Sequence, residues 1–102
     1  MATRTRRDHE REWAREHGCS PFSEQDWLLL AKTLDLSARQ VEVAKLLCEG
    51  LTYAGMAARL NISVNTVRMH MRALFAKLGT RHQVGVVVRL AVTQRRLARP
   101  QL

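Results

Sequence analysis

A chain of 102 residues has room for one hydrophobic core with an extension and little more. Its 46% hydrophobic and 25% charged residues are ordinary for a soluble globular domain; no apolar run nears the roughly 18 residues of a membrane span, and no signal-peptide core opens it. The net charge of +8 is unevenly placed, because residues 1–49 hold all nine acids while residues 50–102 carry nine Lys/Arg and no Asp or Glu. A one-signed half points to nucleic acid or to an anionic membrane. A membrane-surface helix needs aromatic or leucine side chains turned outward opposite the charge, whereas the apolar stripes below read as core. Nucleic acid is the stronger reading, and the cytoplasm the default location. Cys19 and Cys48 lie far apart with no metal-ligand spacing and read as a reduced, partly buried pair.

Residues 1–17 (MATRTRRDHEREWAREH) alternate charges of both signs, with Arg7–Glu10 and Glu12–Arg15 at helical i, i+3 spacing. They read as a solvated helix resting on the domain through Trp13. GCSPFS (18–23) is a break. Ser23 then caps a helix over 24–34, with acids in its first turn where the dipole favours them. Trp27, Leu30, Ala31 and Leu34 form its stripe. Leu28 and Leu29 leave surplus apolar surface, which implies packing on the main domain or on a second subunit.

From Asp35 the signals tighten. Ser37-Ala38-Arg39-Gln40 is a capping box, opening a helix to about Glu49 with Val41, Ala44 (or Val43), Leu47 and Cys48 inward. Thr52 caps a short helix, Tyr53–Leu60, with Met56, Ala57 and Leu60 inward; Ala57 lets two helix backbones come close. Ser63 caps the next helix, whose Val67, Met71, Leu74 and Leu78 fall at i, i+4, i+7 and i+11 and make one apolar stripe. Its other face carries Asn65, Arg68, Met69 and Arg72, and Gly79 stops it. Thr80-Arg81-His82-Gln83 reads as another capping box for a last helix to about Leu97, with Val84, Val87, Val88, Ala91 and Val92 apolar. That band is either core or a dimer face. Residues 98–102 read as a basic tail. The fold class is all-α.

Helix, short helix, tight turn, longer helix is the spacing of a helix-turn-helix. Between Leu36 and about Val92 the chain also resembles the LuxR-type (GerE-type) DNA-binding domain. The resemblance rests on Leu36-Ser37, Arg39, Glu42-Val43, Leu46-Leu47, Gly50-Leu51-Thr52, Ala57, Leu60, Ile62-Ser63, Thr66-Val67-Arg68, His70, Leu74 and Lys77-Leu78-Gly79. It implies a four-helix bundle over 35–97, here with one or two extra N-terminal helices in 1–34. Ser63–Leu78 is then the recognition helix in the major groove, and the fourth helix a dimer interface through Val84, Val87, Val88 and Ala91. By position, Arg68, Met69 and Arg72 face base edges. Ser63, Asn65 and Thr66 hold phosphates, with Arg59, Lys77 and Arg81 as further phosphate neighbours. Arginine is the usual bidentate partner of guanine O6/N7, while Met69 has only a thymine methyl to touch. Glu42 reads as structural, paired to an arginine such as Arg59 or Arg68, and His70 as structural too.

The chain departs from the family at Gly55 and Gly85, where a Glu usually stands, so the last helix is expected to start earlier, from Thr80, or to be looser. Val64 replaces an acidic residue or proline, which favours affinity over selectivity. Catalysis has no support: no paired carboxylates, glycine-rich phosphate loop, metal spacing or activated nucleophile is present, and no cofactor is expected. The leading expectation is a sequence-specific double-stranded DNA-binding transcription regulator, dimeric on a two-fold site and associated with the bacterial nucleoid. The 34 leading residues hold neither a receiver nor a ligand-binding module, so the expectation is a stand-alone regulator. The alternatives are a sigma-factor-like module that docks on RNA polymerase and a nonspecific nucleic-acid binder.

Overall fold

The computed structural model describes residues 21–99; the charged segment 1–17, Cys19 and residues 100–102 lie outside them. The described residues form five helices: α1 (Glu24–Leu34), α2 (Ala38–Cys48), α3 (Tyr53–Leu60), α4 (Val64–Leu78) and α5 (Gln83–Leu97). Four of the five starts are written locally. Ser23 Oγ accepts from Asp26 N at 3.1 Å, and the Asp26 carboxylate accepts from Ser23 N at 2.9 Å. That N–H holds the Asp26 carboxyl below its ordinary range. Ser37 and Gln40 repeat the box at 3.1 and 2.9 Å. Thr52 and Ser63 each accept one backbone N–H at 3.1 Å, from Gly55 and Thr66. The stops are left-handed: Asp35 at φ 55°, Asn61 at φ 56° and Gly79 at φ 66° end α1, α3 and α4.

α4 lies in the middle of the packing, against α2 and α3 on one side and α5 on another. Its stripe Val67, Met71, Leu74 and Leu78 is buried as the periodicity predicts, and each side chain of this kind contributes about 1.5–3 kcal/mol when withdrawn from water. Met56 and Ala57 of α3 meet it, with Leu60 half-buried. α2 contacts all four other helices, so its buried face is wider than one stripe: Val43, Ala44, Leu46 and Leu47 are buried, and Val41 and Cys48 only half. α1 lies on α2 and α5 and sends Trp27 and Leu30 into the same core. The Phe22 ring meets Trp27 edge-on at 5.3 Å. Lys45 bridges to Glu24 at 3.1 Å with its ammonium 6.0 Å from the Trp27 ring. Leu28 and Leu29 stay exposed, at 66% and 41%.

One expectation about the last helix is corrected. It starts at Gln83 and not at Thr80: His82 is the N-cap, and no side chain caps the first turn. The Thr80 hydroxyl instead takes the His82 N–H at 3.4 Å, only two residues on. The Thr80 N–H is already spent on the Phe75 carbonyl at 3.1 Å, in the stop of α4, so it has nothing to offer the Gln83 side chain. At Gly85 a Cβ would fall 1.8 Å from Thr80 Oγ1 and 2.8 Å from Thr80 Cβ. Thr80 occupies the space that a side chain at 85 would need. Of the two readings left open for the valine band, core holds only for Val87, which is half-buried against it. Val86, Leu90 and Thr93 point inward, while Val84 is 73% and Val88 53% exposed.

The two unusual glycines therefore have opposite costs. A Cβ at Gly55 would meet nothing nearer than Thr52 Oγ1 at 3.4 Å, an ordinary contact. Gly55→Ala is expected to stabilise the fold by about 0.5–1 kcal/mol, the helix-interior cost of glycine. Gly85→Ala is expected to destabilise it by about 1–3 kcal/mol, since overpacking against Thr80 outweighs the same helical gain. Urea midpoints of the two variants against the parent check both signs, and a stabilising Gly85→Ala contradicts the packing described.

Candidate nucleic-acid interface

Rotation of α4 about its axis is fixed by the buried stripe, and what remains outward follows. Asn65, Arg68, Met69 and Arg72, at i, i+3, i+4 and i+7, are all exposed, with Met69 at 65%. They form one ridge, two guanidinium groups flanking a thioether. Neither arginine is tucked into the body. The Arg68 Nη1 donates to Asn65 Oδ1 at 3.1 Å, a partnership the sequence reading missed although the i, i+3 spacing of an amide and an arginine is its ordinary signature. At the head of the helix Ser63 Oγ lies 2.8 Å from Thr66 Oγ1 while capping the Thr66 N–H. The N-terminal turn presents a hydroxyl pair and the positive end of the helix dipole, a combination suited to a phosphate.

The other basic candidates divide. Arg59, in the last turn of α3, and Arg81, between α4 and α5, are exposed cations. Lys77 is exposed too, but its ammonium is engaged within the chain: it donates to the Asp35 carbonyl oxygen and, at 3.0 Å, to Gln40 Oε1. It braces the C-terminal end of α4 against the junction of α1 and α2, about 14 Å along the axis from Arg68 at 1.5 Å per residue. No local pattern announces this, because the partners are 37 and 42 residues away. Glu42 pairs with Arg39 at 2.9 Å, one turn back on its own helix, and not with Arg59 or Arg68. The carboxylates of residues 21–99 all belong to residues 24–49, so α3, α4 and α5 carry cations with no acid among them.

On α5, Val84, Val88 and Val92 line up at i, i+4 and i+8 with exposures of 73%, 53% and 39%. Ala91 beside them is exposed too, and Val87 is half-buried against the core. Of the two roles left open for this band, core and shared face, the first is removed for all but Val87. On α1, Trp27 and Leu30 are buried within the same chain, while the surplus Leu28 and Leu29 remain exposed.

Burial, then the neighbouring Glu49, pushes the Cys48 thiol up to about 11, which keeps it protonated and inert. No group of His, Cys, Asp and Glu among the described residues is placed to hold a metal ion. No helix among them is long and apolar enough to cross a membrane.

No curated protein and no solved structure matched the chain. The family model for bacterial regulatory proteins of the luxR family (GerE) matches residues 34–90. That segment is more than half of the chain and runs from the end of α1 through the cationic ridge to the buried Leu90 of α5. With the tri-helical spacing and the exposed ridge in place, the chain belongs to the luxR family of bacterial regulatory proteins, a family of DNA-binding transcription regulators.

Proposed function

We propose that this protein is a sequence-specific regulator that lays α4, from its Ser63 cap to Leu78, in the major groove of double-stranded DNA. The observation that carries the reading is the ridge itself. Arg68, Met69 and Arg72 stand exposed together on the one face of α4 that the core leaves free. Arg68 and Arg72 read guanine edges and Met69 meets a thymine methyl. The Ser63–Thr66 end of α4, Arg59 and Arg81 hold the phosphate backbone and set the register. The place of work is the nucleoid, in the cytoplasm.

Selection from a randomised duplex pool at several salt concentrations tests the reading. The expected result is an enriched, roughly palindromic site together with a steep fall of log K against log salt. A steep fall with no enriched sequence refutes base reading and leaves a nonspecific binder. No binding to DNA, with capture of RNA polymerase, refutes it in favour of a polymerase-docking module.

The two-fold site follows from a homodimer through the valine band of α5, with Val84, Val87, Val88 and Ala91 in the shared face. An apolar strip repeating every four residues along an outer helix suits a self-complementary two-fold contact. Val88→Glu is expected to give a folded monomer in sedimentation equilibrium, with an affinity for the palindromic site at least about tenfold lower, as an unpaired buried charge at an interface demands. A Val88→Glu variant that stays a folded dimer removes α5 from this role.

A further inference from the structure

Resting on the base-reading role just proposed for Arg68, we infer that Asn65 is a positioning residue that presents the Arg68 guanidinium to its base. Three observations carry this. The Asn65 amide oxygen already accepts from Arg68 Nη1 at 3.1 Å, across one turn of the same exposed ridge. A guanidinium has five N–H donors in a rigid fork, so the bond to Asn65 uses one and leaves the outer edge free for guanine O6 and N7. The bond also engages the amide oxygen, the only acceptor of the Asn65 side chain, with the cation.

Arg72 supplies the internal comparison. The residues three and four positions before it, Met69 and Arg68, offer no side-chain acceptor, so no equivalent partner steadies it along the helix. A long side chain that must surrender its rotamer freedom on binding loses part of what the contact yields; one held in advance does not. The base pair under Arg68 is therefore the more sharply discriminated of the two, and Asn65 is the reason.

The test uses the full chain on the site selected from the pool, with every base exchanged in turn. Arg68→Ala first identifies the base pair that Arg68 reads. Asn65→Ala is expected to lower discrimination at that same pair by about fivefold or more, the lower end of what one good bidentate pair supplies. Discrimination at the Arg72 pair and the salt slope stay as in the parent. Asn65→Asp, which keeps an acceptor at the same place, is expected to restore discrimination, and Asn65→Ala added to Arg68→Ala to have no further effect on it.

An even loss over all sequences after Asn65→Ala overturns the inference in favour of a backbone contact, and an unchanged base profile overturns it by showing the bond idle. In both cases Arg68→Ala still erases one preference, so base reading by Arg68 survives. If Arg68→Ala erases none, the base-reading role fails and the inference fails with it. Asn65 is exposed and lies outside the core, so unchanged thermal melting of each variant separates these results from unfolding.

Discussion

Trp27→Ala is expected to remove about 3–5 kcal/mol of folding stability, the range for truncating a buried aromatic. Trp27 is 2% exposed, belongs to the one continuous core, and is met edge-on by the Phe22 ring. At about 0.05–0.15 kcal/mol per residue, a chain of 102 residues holds roughly 5–15 kcal/mol in all, so the variant loses a large share of its stability or fails to fold. Leu28→Ala, on the next residue but at 66% exposure, is expected to change stability by less than about 0.5 kcal/mol. Urea unfolding of the two variants side by side makes the comparison. Equal midpoints would mean that α1 is an appendage and the helix-turn-helix folds without it.

The family-matched segment ends at Leu90, yet α5 runs on to Leu97 and α1 stands almost wholly before the match. These two outlying pieces pack on each other. Gln94 Nε2 donates to Asp26 Oδ1 at 3.4 Å, and Asp26 is the residue that completes the Ser23 capping box. Thr93 is buried one turn from Leu90, its hydroxyl donating back to the Arg89 carbonyl at 2.8 Å. α1 and the end of α5 thus pack on each other outside the matched segment. α4 is held from behind by a larger core than the matched residues alone supply.

That architecture also explains which parts could be read from the residues. α4 was fully legible because a helix with one buried side obeys a single stripe, and Val67, Met71, Leu74 and Leu78 are that stripe. Its caps were legible for the same local reason. α2 was not, because it touches four neighbours, and a stripe predicts only one contact face; Leu46 is the residue this misses. On α5 the true inward set contains a threonine whose polarity is satisfied by its own helix, so Val86, Leu90 and Thr93 do not look like a stripe next to so many valines. The Thr80 box does not form because the Thr80 N–H is taken by the Phe75 carbonyl in the stop of α4. At the candidate interface, exposure of Arg68, Met69 and Arg72 follows from period alone. The internal use of Lys77 depends on chain segments about forty residues apart and has no sequence signal.

Arg72→Ala and Arg59→Ala are expected to damage DNA binding in different ways, and the contrast separates reading from holding. Arg72 stands two turns into α4 on the exposed ridge, in line with Arg68 and Met69, where a helix seated in the major groove meets base edges. Its loss is expected to remove about 1–3 kcal/mol of discrimination at one base pair per half-site, while other positions keep their preferences. Arg59 stands in the last turn of α3, the helix that would cross the DNA backbone in the seating proposed above. Its loss is expected to weaken every sequence by a similar factor and to make the log K against log salt slope shallower by about one unit per site contacted, as for one released counterion. Competition binding over single-base exchanges, repeated at three or more salt concentrations, measures both quantities on the same samples. Should Arg72→Ala lower all sequences evenly, Arg72 is a backbone contact and α4 enters the groove rotated or shifted from the seating argued above. Should Arg59→Ala alter one base preference and leave the slope untouched, α3 is the helix that reads, and the division of labour between the two helices is reversed.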